Sequence, residues 1–140
     1  MRYLIDTNIF VYMATDRGWL DSYVLSILQD YENTLYISTE SVKELILAYN
    51  SKGLCNKRWK TATDMLKAIE DDFNIKISPI KKEHLKTYAK LKPNIEQGHK
   101  DPSDHLIIAH SITERIPLIS SDTRFDYYRS QGLDFIYNQK

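Results

Sequence analysis

The sequence predicts an α/β fold with three layers, in which helices cover both faces of a mainly parallel sheet of about five short strands. Short β-rich runs alternate with longer runs of helical periodicity, and most of the short runs precede a turn or a helix cap. Strands that alternate with helices usually pair in parallel. With 140 residues, of which 42% are hydrophobic, we expect a single domain over residues 1–140.

Each predicted strand is about three residues long. The five strands are Tyr3–Ile5, Leu35–Ile37, Ile75–Ile77, Pro117–Ile119 and Phe135–Tyr137. Apolar residues at helical spacing predict helices between most of them: Leu20–Glu32, Val42–Tyr49, Arg58–Phe73, Lys82–Lys92, Ser103–Arg115 and Thr123–Gln131. Gly53 and Gly132 stand where helices are expected to stop. Lys92–Lys100 is the only stretch that resembles a long loop.

Composition excludes several classes of protein. Lys and Arg total 19, as do Asp and Glu, so a nucleic-acid partner would need a local patch rather than a whole-protein field. The apolar runs are too short to span a membrane, and Asp6 comes too early for a signal peptide. The single cysteine, Cys55, excludes an internal disulfide and fits a reducing compartment. We therefore expect a cytoplasmic protein without a membrane partner.

Acidic residues follow the predicted strands at comparable positions. Asp6 comes directly after the first strand and Asp122 directly after the fourth. The carboxyl ends of parallel strands meet at one edge of a sheet, and the helices that follow them begin there. Glu44, near the start of the second helix, and Asp101 and Asp104, which open a later one, should lie at the same edge.

Each acid also has a simpler interpretation. Asp122 and Asp101 suit the N-cap of a helix, and Glu44 fits a solvated surface. Asp6 is harder to explain in this way, because no long helix is evident after it, while Thr7 and Asn8 add polar groups at the same turn. Independent caps would share one edge only by accident, so the pattern favours a functional acidic cluster.

Carboxylates gathered in one pocket repel each other, which raises their pKa values unless a cation neutralises them. Ligands that are all oxygen select Mg²⁺ or Mn²⁺, whereas zinc normally brings histidine or cysteine. Such a site activates water and stabilises phosphate charge. The predicted chemistry is phosphodiester hydrolysis.

The segments that carry these acids resemble a known family. They are Leu4–Asn8, Ser41–Leu45, His99–Ala109 and Leu118–Asp122, and the third contains Asp-Pro-Ser-Asp-His-Leu-Ile-Ile-Ala. In this order they are similar to the PIN-domain ribonucleases, especially the VapC toxins of type II toxin–antitoxin modules. The resemblance implies a PIN-like, metal-dependent endoribonuclease with an RNA substrate and an antitoxin protein as partner. We also expect a homodimer.

The resemblance also implies roles for individual residues. The acidic quartet, which would carry out catalysis, is Asp6, Glu44, Asp104 and Asp122. Asp6, Asp104 and Asp122 would bind the metal, and Glu44 would be a ligand or orient water. The residues expected to support these ligands are Asp101, Thr7, Asn8 and Ser120. His105 stands where this subgroup often has arginine and Ser103 where it often has phenylalanine, which affects the expected substrate contacts.

Other functions fit the sequence less well. A nucleotide-binding domain would need a glycine-rich phosphate loop, which is missing. A phosphoryl-accepting Asp6 would need a lysine beyond a strand end, and none stands there clearly. His99, His105 and His110 lack the i, i+4 spacing of a helical metal site, so we expect packed or solvated histidines. A catalytically silent PIN-like module that binds nucleic acid or protein is the remaining alternative.

A basic stretch is the candidate for RNA contacts. No acid occurs between Leu45 and Thr63, and this interval holds a tryptophan, Trp59. Basic side chains pair with phosphates and an aromatic ring can stack on a base. The candidate RNA-binding residues are Lys52, Lys57, Arg58 and Lys60. Trp59 could instead belong to the core and the lysines to a solvated face, and an antitoxin could use the same patch.

Overall fold

The computed structural model describes residues 1–51, 53–54 and 58–139. Five parallel strands form one sheet with the spatial order β3-β2-β1-β4-β5. The strands are β1 Arg2–Ile5, β2 Thr34–Ser38, β3 Ile75–Ser78, β4 Leu118–Ser120 and β5 Phe135–Tyr137. The predicted α/β class and the parallel sheet of five short strands are confirmed.

Helices connect the strands. The α-helices are α1 Thr7–Thr15, α2 Ser22–Gln29, α3 Thr39–Asn50, α4 Ala62–Asp71, α5 Lys82–Lys90 and α6 Pro102–Glu114, and 3₁₀ helices span Arg17–Trp19 and Thr123–Gln131. The predicted helix from Arg58 begins later, because Thr61 caps α4 in a capping box with Asp64. Within the described ranges, no helix is both long and apolar enough to cross a membrane.

Helix α1 corrects one expectation. The prediction that no long helix follows Asp6 is wrong: Asp6 is the N-cap of α1, and its side chain accepts a hydrogen bond from the Thr7 N–H group. The run Ile9–Tyr12 is β-branched and aromatic, which lowers helix propensity. Packing overrides that propensity, since Ile9 and Phe10 are fully buried.

Alternate strand residues enter two different cores. Ile5 and Ile37 pack in a core with side chains of α1 to α4. Leu4 and Leu118 point to the opposite face and pack in a second core with Ile107 of α6. This alternation follows from the two-residue period of a strand, and it produces the three layers.

Strand order determines where a ligand site can form. The chain runs outward from β1 to β2 and β3, then returns to place β4 on the other side of β1. In such sheets, ligands bind at the carboxyl ends of the two strands where the order reverses. The backbone N–H of Asp6 donates to the Ile119 carbonyl at 2.9 Å, so the ends of β1 and β4 lie side by side.

Candidate metal centre

Asp6 is held in place by three neighbours. It is only 3% exposed. Its Oδ1 accepts a hydrogen bond from the Thr7 N–H at 2.8 Å, and its Oδ2 accepts from Ser120 Oγ at 2.7 Å and from Asn8 Nδ2 at 3.3 Å. Thr7, Asn8 and Ser120 therefore all contact the Asp6 carboxylate and leave it little freedom to rotate.

Glu44 reaches the same site from α3. It is half-buried, and its Oε1 accepts a hydrogen bond from Thr7 Oγ1 at 2.6 Å. The backbone of Thr7 binds Asp6 while its side chain binds Glu44. One residue thus links two of the predicted catalytic acids.

The first turn of α6 supplies two further acids. Asp101 is exposed and caps the helix, accepting from the Ser103 N–H at 2.9 Å. Asp104 lies one turn inward, with a side chain 14% exposed and its Oδ2 at 3.0 Å from His99 Nε2. One ligand atom each from Glu44, Asp101 and Asp104 lie within 4.8 Å of one another. Capping explains Asp101, but it does not explain the burial of Asp104.

Asp122 caps the 3₁₀ helix after β4 and forms an ion pair with Arg124. Its Oδ1 accepts from the Arg124 N–H at 2.9 Å. The Arg124 guanidinium lies 2.8 Å from Asp122 Oδ2 and 3.9 Å from Asp104 Oδ2. Ligand atoms of His99, Asp104 and Asp122 also lie within 4.8 Å of one another. Arg124 therefore partly neutralises two of the candidate ligands.

The acids line a common surface cavity of about 440 Å³. It is lined by Asp6, Thr7, Asn8, Val11, Tyr12, Glu44, Asp104, Asp122 and Arg124. Among the described residues that line it, Arg124 is the cation. We name Asp6, Glu44, Asp104 and Asp122 the acidic cluster. Of the five acids expected at this edge, these four line the cavity, whereas Asp101 caps the start of α6 and does not line it.

Burial and mutual repulsion raise the pKa of most of these acids. Burial, with the charge of Asp104 adding to it, raises the pKa of Asp6 to about 7. Burial and the charge of Asp101 do the same for Asp104, to about 7, and burial raises the pKa of Glu44. Burial also acts on Asp122, but its hydrogen bonds to Arg124 outweigh it, so the Asp122 pKa is lowered.

This donor set fits a hard divalent cation. Carboxylate oxygens are the ligands that Mg²⁺ and Mn²⁺ prefer. Burial and mutual repulsion raise the pKa of Asp6 and Asp104, and a dication would relieve the repulsion. Asp6, Asp104 and Asp122 are the residues that would hold it, with Glu44 beside them.

The raised pKa of Asp6 predicts a pH-dependent stability difference between wild type and Asp6→Asn. The carboxyl titrates near 3.8 when unperturbed and at about 7 in the folded protein, so the folded state binds the extra proton between those values. Stability from this group therefore falls as pH rises through that window. Without metal, we expect Asp6→Asn to gain on wild type between pH 5 and pH 8, by on the order of 2 kcal/mol.

The measurement is urea unfolding of both proteins in EDTA at the two pH values. Comparing the two proteins cancels the groups that do not interact with Asp6. One of them is His110, whose pKa burial lowers to about 4 and whose contribution has the opposite pH dependence. A stability difference that stays constant with pH would show that Asp6 is already ionised at pH 5.

Arg124 is expected to compete with a metal ion. Removing its positive charge in Arg124→Ala should tighten Mg²⁺ binding about two- to fivefold, the range of a partly exposed ion pair. The matched control is Arg129→Ala on the same 3₁₀ helix, since Arg129 pairs with Asp126 at 2.6 Å and does not line the cavity. Isothermal titration with MgCl₂ measures both. Unchanged or weaker binding in Arg124→Ala would mean that Arg124 supports the ligands instead.

The basic stretch lies partly outside the described residues, which omit Lys52 and Lys57. Arg58 and Lys60 are exposed, but Trp59 is only 7% exposed and belongs to the core, where it stacks on Phe10. The cleft beside them also contains acids from the α4 region: Asp64, Asp71 and Asp72. A base cannot stack on a buried tryptophan, and the RNA-binding role of the four basic residues stays a prediction.

The three histidines that the sequence leaves as packed or solvated are packed: His99, His105 and His110 are all buried. His110 is fully buried between the hydroxyls of Ser38 and Ser78, at 2.9 and 3.0 Å. His84, Glu114 and His110 also have ligand atoms within 4.8 Å of one another. However, His84 Nδ1 accepts the Lys81 N–H at 2.8 Å, so its proton is on Nε2, which then has no lone pair for a metal.

Sequence reasoning missed two residues of the site, Arg124 and His99. Arg124 stands two positions after Asp122, where the start of a helix can turn its side chain back onto the cap. His99 ends the loop before α6, and its contact with Asp104 depends on how that loop folds. No local sequence pattern predicts the contact between His99 and Asp104.

Comparisons with known proteins agree with this fold. The family model of the PIN domain matches residues 3–130. A crystal structure of VapBC2 from Rickettsia felis, bound to a DNA fragment from its promoter, is similar with a TM-score of 0.74 and 24% identity, covering 99% of this chain and 100% of the other. VapBC-1 from nontypeable Haemophilus influenzae gives a TM-score of 0.68 and 22% identity, with 100% of both chains covered.

VapBC-5 from Mycobacterium tuberculosis, a member of the VapBC family of toxin-antitoxin systems, gives a TM-score of 0.61 and 18% identity, covering 97% of this chain and 98% of the other. The search of curated proteins found no match. Because the family model spans most of the sequence, the chain belongs to the PIN domain family.

Proposed function

We propose that this protein is a divalent-metal-dependent endoribonuclease and the toxin of a type II toxin–antitoxin pair. The observation that carries the proposal is the convergence of Asp6, Glu44, Asp104 and Asp122 on one open cavity at the carboxyl ends of β1 and β4. PIN domains are in general nucleases that use divalent metals. RNA as the substrate, and Mg²⁺ or Mn²⁺ as the ion, extend that general assignment to this chain.

The reaction we propose is hydrolysis of an RNA phosphodiester bond. A bound dication supplies water activation and neutralises phosphate charge. Asp6, Asp104 and Asp122 would hold it, and Ser120, Thr7 and Asn8 keep Asp6 in its orientation. Glu44 is suited to accept a proton from the attacking water. The water oxygen would form the new bond to phosphorus as the bond to the leaving ribose oxygen breaks, and that oxygen would take up a proton from solvent.

An antitoxin partner is supported by the similar structures. VapBC-5 is a member of the VapBC family of toxin-antitoxin systems, and VapBC2 was solved bound to a DNA fragment from its promoter. This chain matches both along nearly its full length. We propose that a small antitoxin protein binds this chain. We also propose that the chain forms a homodimer. Arg58 and Lys60, which are exposed, are proposed to contact RNA.

The test is cleavage of a single-stranded RNA by the purified protein, with a DNA of the same sequence as control. We expect RNA fragments with Mg²⁺ or Mn²⁺, no fragments after EDTA, and full recovery when the metal is restored in excess. Cleavage that survives EDTA would overturn the metal mechanism. RNA binding without cleavage under all metal conditions would instead establish a catalytically silent module.

A further inference from the structure

A chain of buried hydrogen bonds ends on Asp104. Tyr128 and His99 are both fully buried. The Tyr128 hydroxyl lies 2.9 Å from His99 Nδ1, and His99 Nε2 lies 3.0 Å from Asp104 Oδ2. These hydrogen bonds therefore connect Tyr128, in the second core, to the cavity.

A second contact of the Tyr128 hydroxyl indicates the direction of these bonds. The backbone N–H of Asn94 donates to the Tyr128 oxygen at 3.1 Å. If the Tyr128 O–H donates in turn to His99 Nδ1, the single proton of the neutral imidazole is on Nε2, where it donates to Asp104. The opposite tautomer would leave the Tyr128 proton without an acceptor among the described residues and turn the Nε2 lone pair towards a carboxylate.

The segment before α6 holds the His99 ring rigidly. The Asn94 carbonyl accepts the His99 N–H at 3.1 Å, and Asn94 Oδ1 accepts the Gln97 N–H at 3.3 Å. Gly98 has φ of +66°, a left-handed conformation that glycine adopts without strain. The ring also stacks on Phe125, with centroids 5.8 Å apart. The loop predicted over Lys92–Lys100 is thus held together by its own hydrogen bonds, and it places the His99 side chain in contact with Asp104.

We propose that His99 is a positioning residue for the metal centre: it donates Nε2–H to Asp104 Oδ2 and so presents Oδ1 to the cation. Among the described residues, no hydrogen bond uses Asp104 Oδ1. A carboxylate whose rotation is already restricted loses less entropy on binding an ion, and hydrogen bonds to metal ligands typically change affinity about 10- to 100-fold. The inference rests on the proposed function because it assumes a bound cation. The expected tautomer of His99 does not depend on that assumption.

The competing role for His99 is as a nitrogen ligand. A separation of 3.0 Å also suits two atoms that bind the same ion, but this would require the proton on Nδ1. The Asn94 and Tyr128 contacts disfavour that arrangement. The two roles therefore differ in a measurable quantity, the position of one proton.

The first experiment is long-range ¹H–¹⁵N NMR of histidine-labelled protein at pH 8.5, above the Asp104 pKa of about 7, without metal and with saturating Mg²⁺. We expect His99 to carry its proton on Nε2 in both states. A proton on Nδ1 in either state overturns the proposal, and only in the Mg²⁺-bound state would it be compatible with His99 as a ligand. This readout requires no RNA and no catalysis, so it stands even if the protein cleaves nothing.

The second experiment is Mg²⁺ titration of His99 variants. His99→Gln keeps an amide N–H donor near the position of Nε2 and should bind Mg²⁺ within about threefold of wild type, whereas His99→Leu should lose about tenfold. Equal affinities for both variants and wild type overturn the proposal. Equal losses in Gln and Leu also overturn it, because a merely structural role would not distinguish a donor from an apolar side chain.

Two tyrosine variants provide an alternative test if His99→Leu does not fold. Tyr128→Phe removes the hydroxyl that fixes the tautomer, and we expect a severalfold weaker Mg²⁺ affinity. Tyr127→Phe is the matched control, since Tyr127 is 45% exposed and has no part in the chain of bonds to Asp104. Equal Mg²⁺ affinities for these two variants would contradict the role of His99. If the wild-type protein bound no dication at all, the proposed function and the positioning role of His99 would both fail. The NMR measurement would still show which nitrogen of His99 carries the proton.

Discussion

We expect Asp6→Asn to abolish metal-dependent RNA cleavage, with at least a hundredfold loss of rate, in a protein that remains folded. The change removes one negative charge from the candidate metal site, and changes to groups that only support metal ligands already cost about 10- to 100-fold. Asparagine can still accept the Thr7 N–H bond, because Asn and Asp cap helices about equally well. The measurement is the RNA cleavage rate with saturating Mg²⁺, with folding checked by circular dichroism.

The matched control for Asp6→Asn is Asp21→Asn. Asp21 is also an N-cap, accepting the Val24 N–H at 2.7 Å at the start of α2, but it does not line the cavity. If both variants cleave RNA at the wild-type rate, Asp6 is only a capping residue. If both lose activity equally, the loss arises from helix capping and not from the metal site.

The second large effect is a separation between two acids of one helix turn. We expect Asp104→Asn to lose cleavage by at least about a hundredfold, while Asp101→Asn loses only severalfold. Asp101 is exposed and caps α6, a role that asparagine can fulfil. Asp104 is largely buried and contacts His99 and Arg124, and a neutral amide there neither attracts Mg²⁺ strongly nor balances Arg124.

Cleavage rates of the two variants at matched stability decide this. A partial loss in Asp101→Asn remains compatible with its short distance to Glu44 and Asp104. An inactive Asp101→Asn together with an active Asp104→Asn would reverse the assignment and make Asp101 the ligand.

The site acids could be predicted because the rule that locates them is topological. Asp6 and Asp122 end neighbouring parallel strands, so their convergence required only the strand assignments and the parallel pairing. Glu44 and Asp104 followed from the helix starts. The positions of these four acids needed no detail of side-chain packing.

The parts that escaped prediction depend on packing and on loop geometry. Helix α1 was missed because its β-branched and aromatic residues resemble a strand until their burial is known. Composition alone could not distinguish a Trp59 that stacks on Phe10 in the core from an exposed Trp59 on which an RNA base could stack. His99 and Tyr128 are 29 residues apart and meet only because the loop after α5 folds over the 3₁₀ helix.

The proposed function depends most on a cation bound by the acidic cluster, and anomalous diffraction from crystals soaked in Mn²⁺ tests for this cation most directly. We predict a manganese peak in the cavity within ligand distance of Asp104 and Asp122, with the Arg124 guanidinium moved away from them and the His99 bond to Asp104 kept. Crystals soaked in Mn²⁺ that show no peak in the cavity and an intact Arg124–Asp122 pair, or that show manganese only at His84 and Glu114, would contradict it.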